Sequence, residues 1–188
     1  MAQFTPTQYN LICVATGEQF ADTGWTLDYA GYDKPSLVRA VYAKKQLTVY
    51  EDQEGLYKFR DWLPMQRMLK CDAAPVTYRS EGLAKALGLE NLYITFNGYF
   101  PERGAKMMTC SFKETEAYSV CARTDAACDK ILVVASAGNT ARAFAKVCSD
   151  NNIPLLLSVP EDNLCAMWFT EPLNDCVKLI SCRKGGDY

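Results

Sequence analysis

The sequence contains no histidine, and this absence removes several kinds of catalytic and metal site at once. Histidine is the commonest metal ligand and general base, and it completes Ser-His and Cys-His nucleophiles. Nine cysteines are present, but the closest pair, Cys176 and Cys182, is too widely spaced for a C-x-x-C metal motif. We therefore predict no metal site, and we expect most of the thiols to be buried and reduced.

A large excess of charge of either sign is also missing. The chain carries 20 Lys and Arg against 22 Asp and Glu, whereas a nucleic-acid surface is usually basic. Apolar runs end after a few residues, far short of the roughly 20 that span a bilayer. The polar first ten residues do not resemble a signal peptide. These absences predict a cytoplasmic protein without a nucleic-acid or membrane partner.

The length of 188 residues favours one domain, or one domain with a short extension. We assign residues 1–73 to an N-terminal extension that begins with a short strand and turns. Asp33, Lys34 and Pro35 indicate a helix start, and the predicted helix runs to residue 45. Residues 47–50 and 56–60 are predicted to form a β-hairpin around a polar turn.

Residues 74–188 alternate between helical and extended patterns, which predicts an α/β domain with an open parallel sheet and flanking helices. A Gly- and Pro-containing loop is expected at 97–110. The predicted helices are 80–87, started by Ser80 and ended by Gly88, then 111–123 and 140–148; the predicted strands are 92–96, 131–135, 155–159 and 177–181.

The loop Ser136-Ala137-Gly138-Asn139-Thr140 lies between a predicted strand and a predicted helix. Small residues let the backbone approach a ligand closely, and the amides at a helix start attract a carboxylate or phosphate. The alternative is an ordinary strand-to-helix turn in which Asn139 or Thr140 caps the helix.

Ser111-Phe112-Lys113-Glu114 has the pattern of a capping box, in which Ser111 and Glu114 satisfy each other's backbone amides. Lys113 then lies in the first helical turn, where the helix dipole disfavours a cation. This position favours a neutral, nucleophilic amine of the kind that forms a Schiff base. The alternative is a solvated surface lysine.

The two loops together resemble motifs of the fold-type II pyridoxal-phosphate enzymes, the superfamily of tryptophan synthase β and threonine synthase. The matches are Thr109-Cys110-Ser111-Phe112-Lys113-Glu114, residues 136–140, and the stretch 74–94 that precedes them. Most of residues 74–160 is covered. Longer matches resemble the cysteate synthase family within that superfamily: residues 33–35 (DKP), 59–64 (FRDWLP), 96–105 (FNGYFPERGA), 111–114 (SFKE) and 134–144 (VASAGNTARAF).

The resemblance implies pyridoxal 5'-phosphate as cofactor and a role for each motif residue. Lys113 would form the Schiff base and remove the substrate α-proton, and Asn139 would bind the ring hydroxyl oxygen of the cofactor. Ser136, Gly138 and Thr140 would hold the substrate carboxylate. The implied reaction is β-replacement of an O-phosphoserine-like substrate by sulfite. From charge and position we add Arg103 and Lys106 as candidates for holding phosphate or sulfite, with a solvated loop as the alternative.

The resemblance also implies that part of the site is missing. Fold-type II enzymes use a second half for the cofactor phosphate and the pyridine nitrogen, and the ending Gly185-Gly186-Asp187-Tyr188 is similar to mid-chain sequence of the family. We expect a truncated α/β domain with an apolar patch that binds a C-terminal half or a second copy. Cys13 lacks the partners of the family's N-terminal cysteine cluster, so that metal site is expected to be lost.

Three other functions remain open at this point. The first is a threonine synthase-like enzyme, which differs in the acceptor substrate. The second is a non-catalytic truncated or split half that binds a partner. The third is a general anion-binding α/β domain that uses only the Asn139 loop and leaves Lys113 without a role.

Overall fold

A computed structural model describes residues 4–185, and these residues cluster into two compact units. Part of the chain ending at 185–188, which the sequence links to mid-chain family sequence, lies outside the described residues. The units are as follows: the first contains Met1–Gln53, Tyr57–Leu69 and Ser119–Asp129, and the second contains Glu54–Leu56, Lys70–Tyr118 and Lys130–Tyr188. Each unit is built from non-consecutive segments of the chain.

The first unit contains a three-stranded antiparallel sheet. Its strands are β1 (Tyr9–Cys13), β2 (Gln19–Phe20) and β3 (Val38–Tyr42), in the order β2-β1-β3. Leu11 lies opposite Phe20 on one side and Ala40 on the other. Leu11 and Cys13 are buried, which is the alternation expected for a strand with one face toward a core.

The helix predicted for residues 33–45 and the hairpin predicted for residues 47–60 are wrong. Residues 38–42 are the strand β3, because Val38, Val41 and Tyr42 have high strand propensity and pair with β1. Residues 47–50 are irregular, and Gly55–Trp62 forms a 3₁₀ helix instead of a second hairpin strand. The N-terminal extension therefore contains a three-stranded sheet where a helix and a hairpin were expected.

An ion pair between Asp22 and Arg123 joins distant segments of the first unit. Arg123 donates from Nε to Asp22 Oδ2 over 2.5 Å and from Nη2 to Asp22 Oδ1 over 2.8 Å. Tyr9 donates its hydroxyl to the same carboxylate over 2.6 Å. The Asp22 side chain is 3% exposed. Burial opposes its charge, but hydrogen bonds from Arg123 and Tyr9 outweigh burial and hold the pKa of Asp22 below its ordinary value.

The second unit contains a parallel three-stranded sheet, which confirms the α/β class. The strands are β8 (Leu132–Ala135), β9 (Leu155–Pro160) and β10 (Val177–Cys182), with β9 in the centre. Leu155 lies opposite both Leu132 and Val177. The 12-residue helix α3 (Asn139–Asp150) connects β8 to β9, as the β-α-β prediction requires.

Helix α3 supplies much of the core of this unit. Its small residues Ala141, Ala143 and Ala145 are fully buried, and so are Val147 and Cys148. Small side chains let the helix approach the sheet closely, so the turn between β8 and α3 has little freedom to move. The opposite side of the sheet is open, since Val133 on β8 is 61% exposed.

The preceding strands do not join the parallel sheet. Strand β4 (Val76–Arg79) pairs antiparallel with β5 (Tyr93–Phe96), with hydroxyls of Thr77 and Thr95 2.9 Å apart. Helix α1 (Glu81–Leu87) lies between them in sequence and ends at Gly88, as predicted, although Ser80 makes no side-chain capping bond. Helix α1 buries only Ala84 and leaves Leu83 and Leu87 exposed, so it does not cover a sheet in the way that a parallel crossover helix does. The parallel arrangement predicted for β5 is therefore wrong.

The segment predicted as a loop at 97–110 contains a short antiparallel ribbon. Strand β6 (Tyr99–Phe100) pairs with β7 (Ala105–Lys106) around a 3₁₀ turn at Pro101–Arg103. Helix α2 (Lys113–Ala122) follows and confirms the predicted helix.

The cysteines are less buried than the composition suggested. Of the nine, Cys13, Cys121 and Cys148 are buried, whereas Cys110 and Cys165 are exposed. Within residues 4–185, no helix has the length and apolar character to cross a membrane.

We expect Asp22→Asn to lower the free energy of unfolding by about 2 kcal/mol at neutral pH, because a charged acceptor of four hydrogen bonds, from Tyr9, Arg123 (two) and the Gly24 amide, is lost. Since folding lowers the pKa of Asp22, its contribution is present above about pH 4 and disappears as the carboxylate is protonated. Urea denaturation of both proteins from pH 7 to pH 3 measures this difference. Asp28→Asn, at an exposed carboxylate of the same loop region, is the control. A difference that does not shrink in acid would contradict the assignment.

Candidate functional site

The turn between β8 and α3 lies at the carboxyl end of the parallel sheet, beside the largely buried central strand β9. Ser136 donates its backbone amide to the Ser158 carbonyl over 3.1 Å, which anchors the start of the turn on β9. Ser136, Gly138 and Thr140 are half-buried, and Asn139 is exposed as the first residue of α3. In parallel α/β sheets, this end of the strands is where ligands bind.

The start of α3 is uncapped by any side chain. Gly138 occupies the cap position, and no side chain makes a capping hydrogen bond there, so the alternative with Asn139 or Thr140 as the cap is wrong. A Cβ added at Gly138 would meet no atom within 4 Å. Backbone amides at the first turn of a helix have no intrahelical acceptor. The turn therefore offers open space next to free backbone donors, which suits an anion.

Lys113 is the first residue of α2, as the sequence predicts for the start of this helix. Its Nζ lies 2.6 Å from Glu116 Oε2 and 5.3 Å from the centroid of the Phe112 ring. The side chain is 33% exposed, so a ligand can reach the amine. A reaction at Lys113 Nζ requires the contact with Glu116 to break first.

The capping box predicted for Ser111 and Glu114 does not form. The Ser111 hydroxyl accepts from the Lys113 amide over 3.3 Å, and Glu114 Oε2 accepts from the amide and hydroxyl of Thr109 over 2.7 and 2.9 Å. The Glu114 amide donates to the Ser111 carbonyl instead. The carboxylate thus folds back past the helix start to Thr109, because Thr109 offers two donors where Ser111 offers one.

Glu114 is fully buried, which is unusual for a carboxylate in the first turn of a helix. Burial raises its pKa, and the hydrogen bonds from Thr109 and the nearby Lys146 charge offset only part of that shift. The contact ties the loop before α2 to the helix that carries Lys113. Glu114 is therefore a positioning residue for the lysine.

Two candidate segments of the second unit interact electrostatically. Arg142, in the first turn of α3, donates from Nη2 to Asn139 Oδ1. Burial lowers the pKa of the Arg142 guanidinium, and the nearby Cys110 side chain acts in the opposite sense. Cys110 lies three residues before Lys113 and has a left-handed φ of 52°. The loop before α2 is thus within electrostatic range of the start of α3.

The two basic residues of the 97–110 segment lie elsewhere in the second unit. Lys106 Nζ lies 3.9 Å from Glu54 Oε2, and both side chains are well exposed. Arg103 lines an open, largely apolar cavity with Val76, Tyr78 and Phe96. Within the described part of the chain, no hydrogen bond or ion pair connects Arg103 or Lys106 with the Asn139 turn.

Sequence reasoning missed Arg142 and the buried contact of Glu114. The available signal for Arg142 was a lone charge among the alanines that form the apolar stripe of α3. For Glu114 the signal was Thr109, a second hydroxyl residue five positions earlier. A capping-box pattern does not distinguish the two hydroxyl partners.

Comparison with curated proteins finds cysteate synthases among the relatives of this chain. The chain is 41% identical over 180 residues to a cysteate synthase of Methanosarcina barkeri and 45% identical over 183 residues to one of Methanocella arvoryzae. A cysteate synthase of Methanoculleus marisnigri is 42% identical over 182 residues. Each alignment covers 96% of this chain but only 41–42% of the relative.

The chain thus spans about two fifths of the length of the curated relatives that it matches. No family model matches the sequence, and no solved structure matches it. The similarity to cysteate synthases confirms the resemblance on which the candidate site was predicted.

We expect Glu114→Gln to change the pH dependence of stability. Folding raises the pKa of Glu114, so the protonated carboxyl contributes to the free energy of unfolding below about pH 4. This contribution decreases as the pH rises and the carboxyl ionises. The wild type should therefore lose on the order of 1 kcal/mol relative to the variant between pH 4 and pH 8. Urea denaturation across this range measures the change, with exposed Glu90→Gln as the matched control. Parallel pH curves for the wild type and Glu114→Gln would refute it.

Proposed function

We propose, from the similarity of this chain to cysteate synthases, that it forms the lysine-bearing part of a pyridoxal-phosphate-dependent β-replacement enzyme. The proposed reaction converts O-phospho-L-serine and sulfite into L-cysteate and phosphate. The observation that carries the proposal is similarity at 41–45% identity over 96% of the chain. In this proposal the second unit corresponds to the small α/β domain of a fold-type II enzyme.

The residues at the two helix starts fit the proposed cofactor. Lys113 presents a partly exposed amine at the start of α2, which suits covalent attachment of an aldehyde. Asn139 presents an exposed amide at the start of α3, which suits a ring hydroxyl oxygen. Pyridoxal phosphate, when bound, supplies an electron sink for the charge that develops at the substrate α-carbon.

Lys113 is proposed to move the protons of the reaction. After leaving Glu116, its Nζ takes the α-proton of O-phosphoserine. The β-carbon to oxygen bond then breaks and phosphate leaves with the bonding electrons. The sulfur of sulfite forms the new bond to the β-carbon, and the ammonium of Lys113 returns the proton to the α-carbon. Glu116, 2.6 Å from Nζ, stabilises the protonated form between these two transfers.

The turn before α3 is proposed to hold the substrate carboxylate. Ser136 and Thr140 contribute hydroxyl groups, and Gly138 leaves room for the ligand to approach the backbone amides. Arg103 and Lys106 stay candidates for phosphate or sulfite. Lys106 would have to exchange its contact with Glu54 for the ligand.

We further propose that the rest of the cofactor site comes from residues that correspond to the uncovered three fifths of the relatives. The open face of the parallel sheet supports a partner there, since Val133 and Ile180 expose large apolar side chains on it. A separate C-terminal half or a second copy of the chain could cover that face.

We expect borohydride to trap pyridoxal phosphate on Lys113 of the purified protein. Peptide mass spectrometry should locate the label on Lys113, and Lys113→Ala should reduce the label to background. Glu116→Gln should accelerate labelling by about two- to fivefold, because an exposed ion pair contributes at most about 1 kcal/mol. Exposed Lys85→Ala is the matched control. Equal labelling of Lys113→Ala and the wild type would exclude Lys113 as the cofactor lysine.

The reaction itself is tested by product analysis. We expect cysteate from O-phosphoserine and sulfite when the chain is co-expressed with the uncovered part of the Methanosarcina barkeri relative. No cysteate should form with Lys113→Ala, because the proton-transfer group is lost. Formation of threonine from phosphohomoserine in place of cysteate would redirect the assignment to a threonine synthase-like reaction.

A further inference from the structure

Arg142 is a buried cation whose hydrogen-bonding capacity is largely unused. The residue is 8% exposed, although it lies in the first turn of α3. Its Nη2 donates to Asn139 Oδ1, and its guanidinium carbon lies 4.0 Å from the centroid of the Trp168 ring. Nε and Nη1 have no hydrogen-bond partner among residues 4–185. Three N–H donors of a fixed cation are therefore available.

A buried cation without an anionic partner destabilises the fold, and a bound anion would offset this cost. None of the ion pairs among residues 4–185 involves Arg142. Trp168 covers a face of the guanidinium plane, which leaves the N–H groups along its edge for a ligand.

The surroundings of Arg142 favour the same kind of ligand. Helix α3 has 12 residues, and the amides of residues 139–141 have no intrahelical acceptor. Gly138 adds no side chain that could satisfy them. The free amides of the helix start favour a negative charge, and so does the buried guanidinium without a partner. These are two independent reasons for an anion to bind here.

We propose that Arg142 binds the three-oxygen oxyanion of the reaction, either the phosphate group of the amino-acid substrate or sulfite. This inference rests on the proposed function and adds a binding residue to it. The substrate carboxylate, held by Ser136, Gly138 and Thr140, carries one negative charge. A phosphoryl group or sulfite carries up to two, and its three oxygens can accept the N–H donors that Nε and Nη1 present. Arg142 also orients Asn139 through the bond from Nη2.

Thermal unfolding without cofactor tests this assignment. The probes are sodium sulfite and sodium phosphate, each compared with sodium acetate at equal ionic strength. We expect sulfite, phosphate or both to raise the Tm of the wild type by about 3–6 °C at ten times the Kd. Arg142→Gln should abolish this rise, and Arg142→Lys should retain part of it. Arg183→Gln removes an exposed positive charge and should respond like the wild type.

The Tm in acetate alone separates a binding role from a structural one. If Arg142 awaits an anion, Arg142→Gln removes an uncompensated buried charge and should unfold at a temperature no lower than the wild type. A lower Tm would show that Arg142 mainly supports Asn139 and Trp168, and this would overturn the assignment. A sulfite or phosphate response that persists in Arg142→Gln, or that acetate reproduces, would also overturn it.

The two anions identify the source of the oxyanion. A response to sulfite alone assigns Arg142 to the nucleophile, and a response to phosphate alone assigns it to the leaving group. Because this readout uses no pyridoxal phosphate, it is independent of trapping at Lys113. Failed trapping with an intact anion response would refute the proposed function alone, whereas successful trapping with no anion response would refute the role of Arg142 alone.

Discussion

The packing of α3 against the parallel strands is the constraint on which the candidate site depends. Buried alanines bring the helix close to the sheet, and the parallel pairing of β8 with β9 fixes where the helix begins. The turn at residues 136–140 therefore has a defined place, with an unsatisfied row of amides at its end. The free amides at this helix start therefore follow from the packing before any particular side chain is considered.

Two buried charged groups then set the chemistry of the helix starts. The carboxylate of Glu114 accepts two hydrogen bonds from Thr109 in the loop before α2. Arg142 donates a hydrogen bond to Asn139 at the start of α3. Both residues are more buried than charged side chains normally are, so each carries a desolvation cost. In Glu114 the two donors of Thr109 recover part of that cost. In Arg142, Nε and Nη1 have no partner among residues 4–185, and in our proposal an oxyanion offsets that cost.

The helices α2 and α3 and the strands of the parallel sheet could be predicted from the sequence. Their apolar residues form runs or helical spacings, and turn residues separate these segments. The errors fall where a local signal competes with distant pairing. Asp33-Lys34-Pro35 is typical of a helix start, but β1 pairs with residues 38–42 and makes them a strand. Strands β4 and β5 pair with each other because α1 does not pack as a crossover helix. The local sequence does not show how little of α1 is buried. At the site, the roles predicted for Lys113 and Asn139 by resemblance stay predictions, whereas the missing hydrogen-bond partners of Arg142 are visible only in the tertiary structure.

The three-stranded parallel sheet has a further consequence for how the chain meets other chains. Among the described residues, β8 and β10 each pair on one side only, so both present unpaired backbone amides and carbonyls along an edge. Such edges are templates for strand addition. A strand added beside β8 or β10 would extend the hydrogen-bonded ladder sideways and leave the turn at the end of β8 unchanged. The same geometry that lets the sheet grow into a larger one also lets two copies of the chain associate through strand pairing.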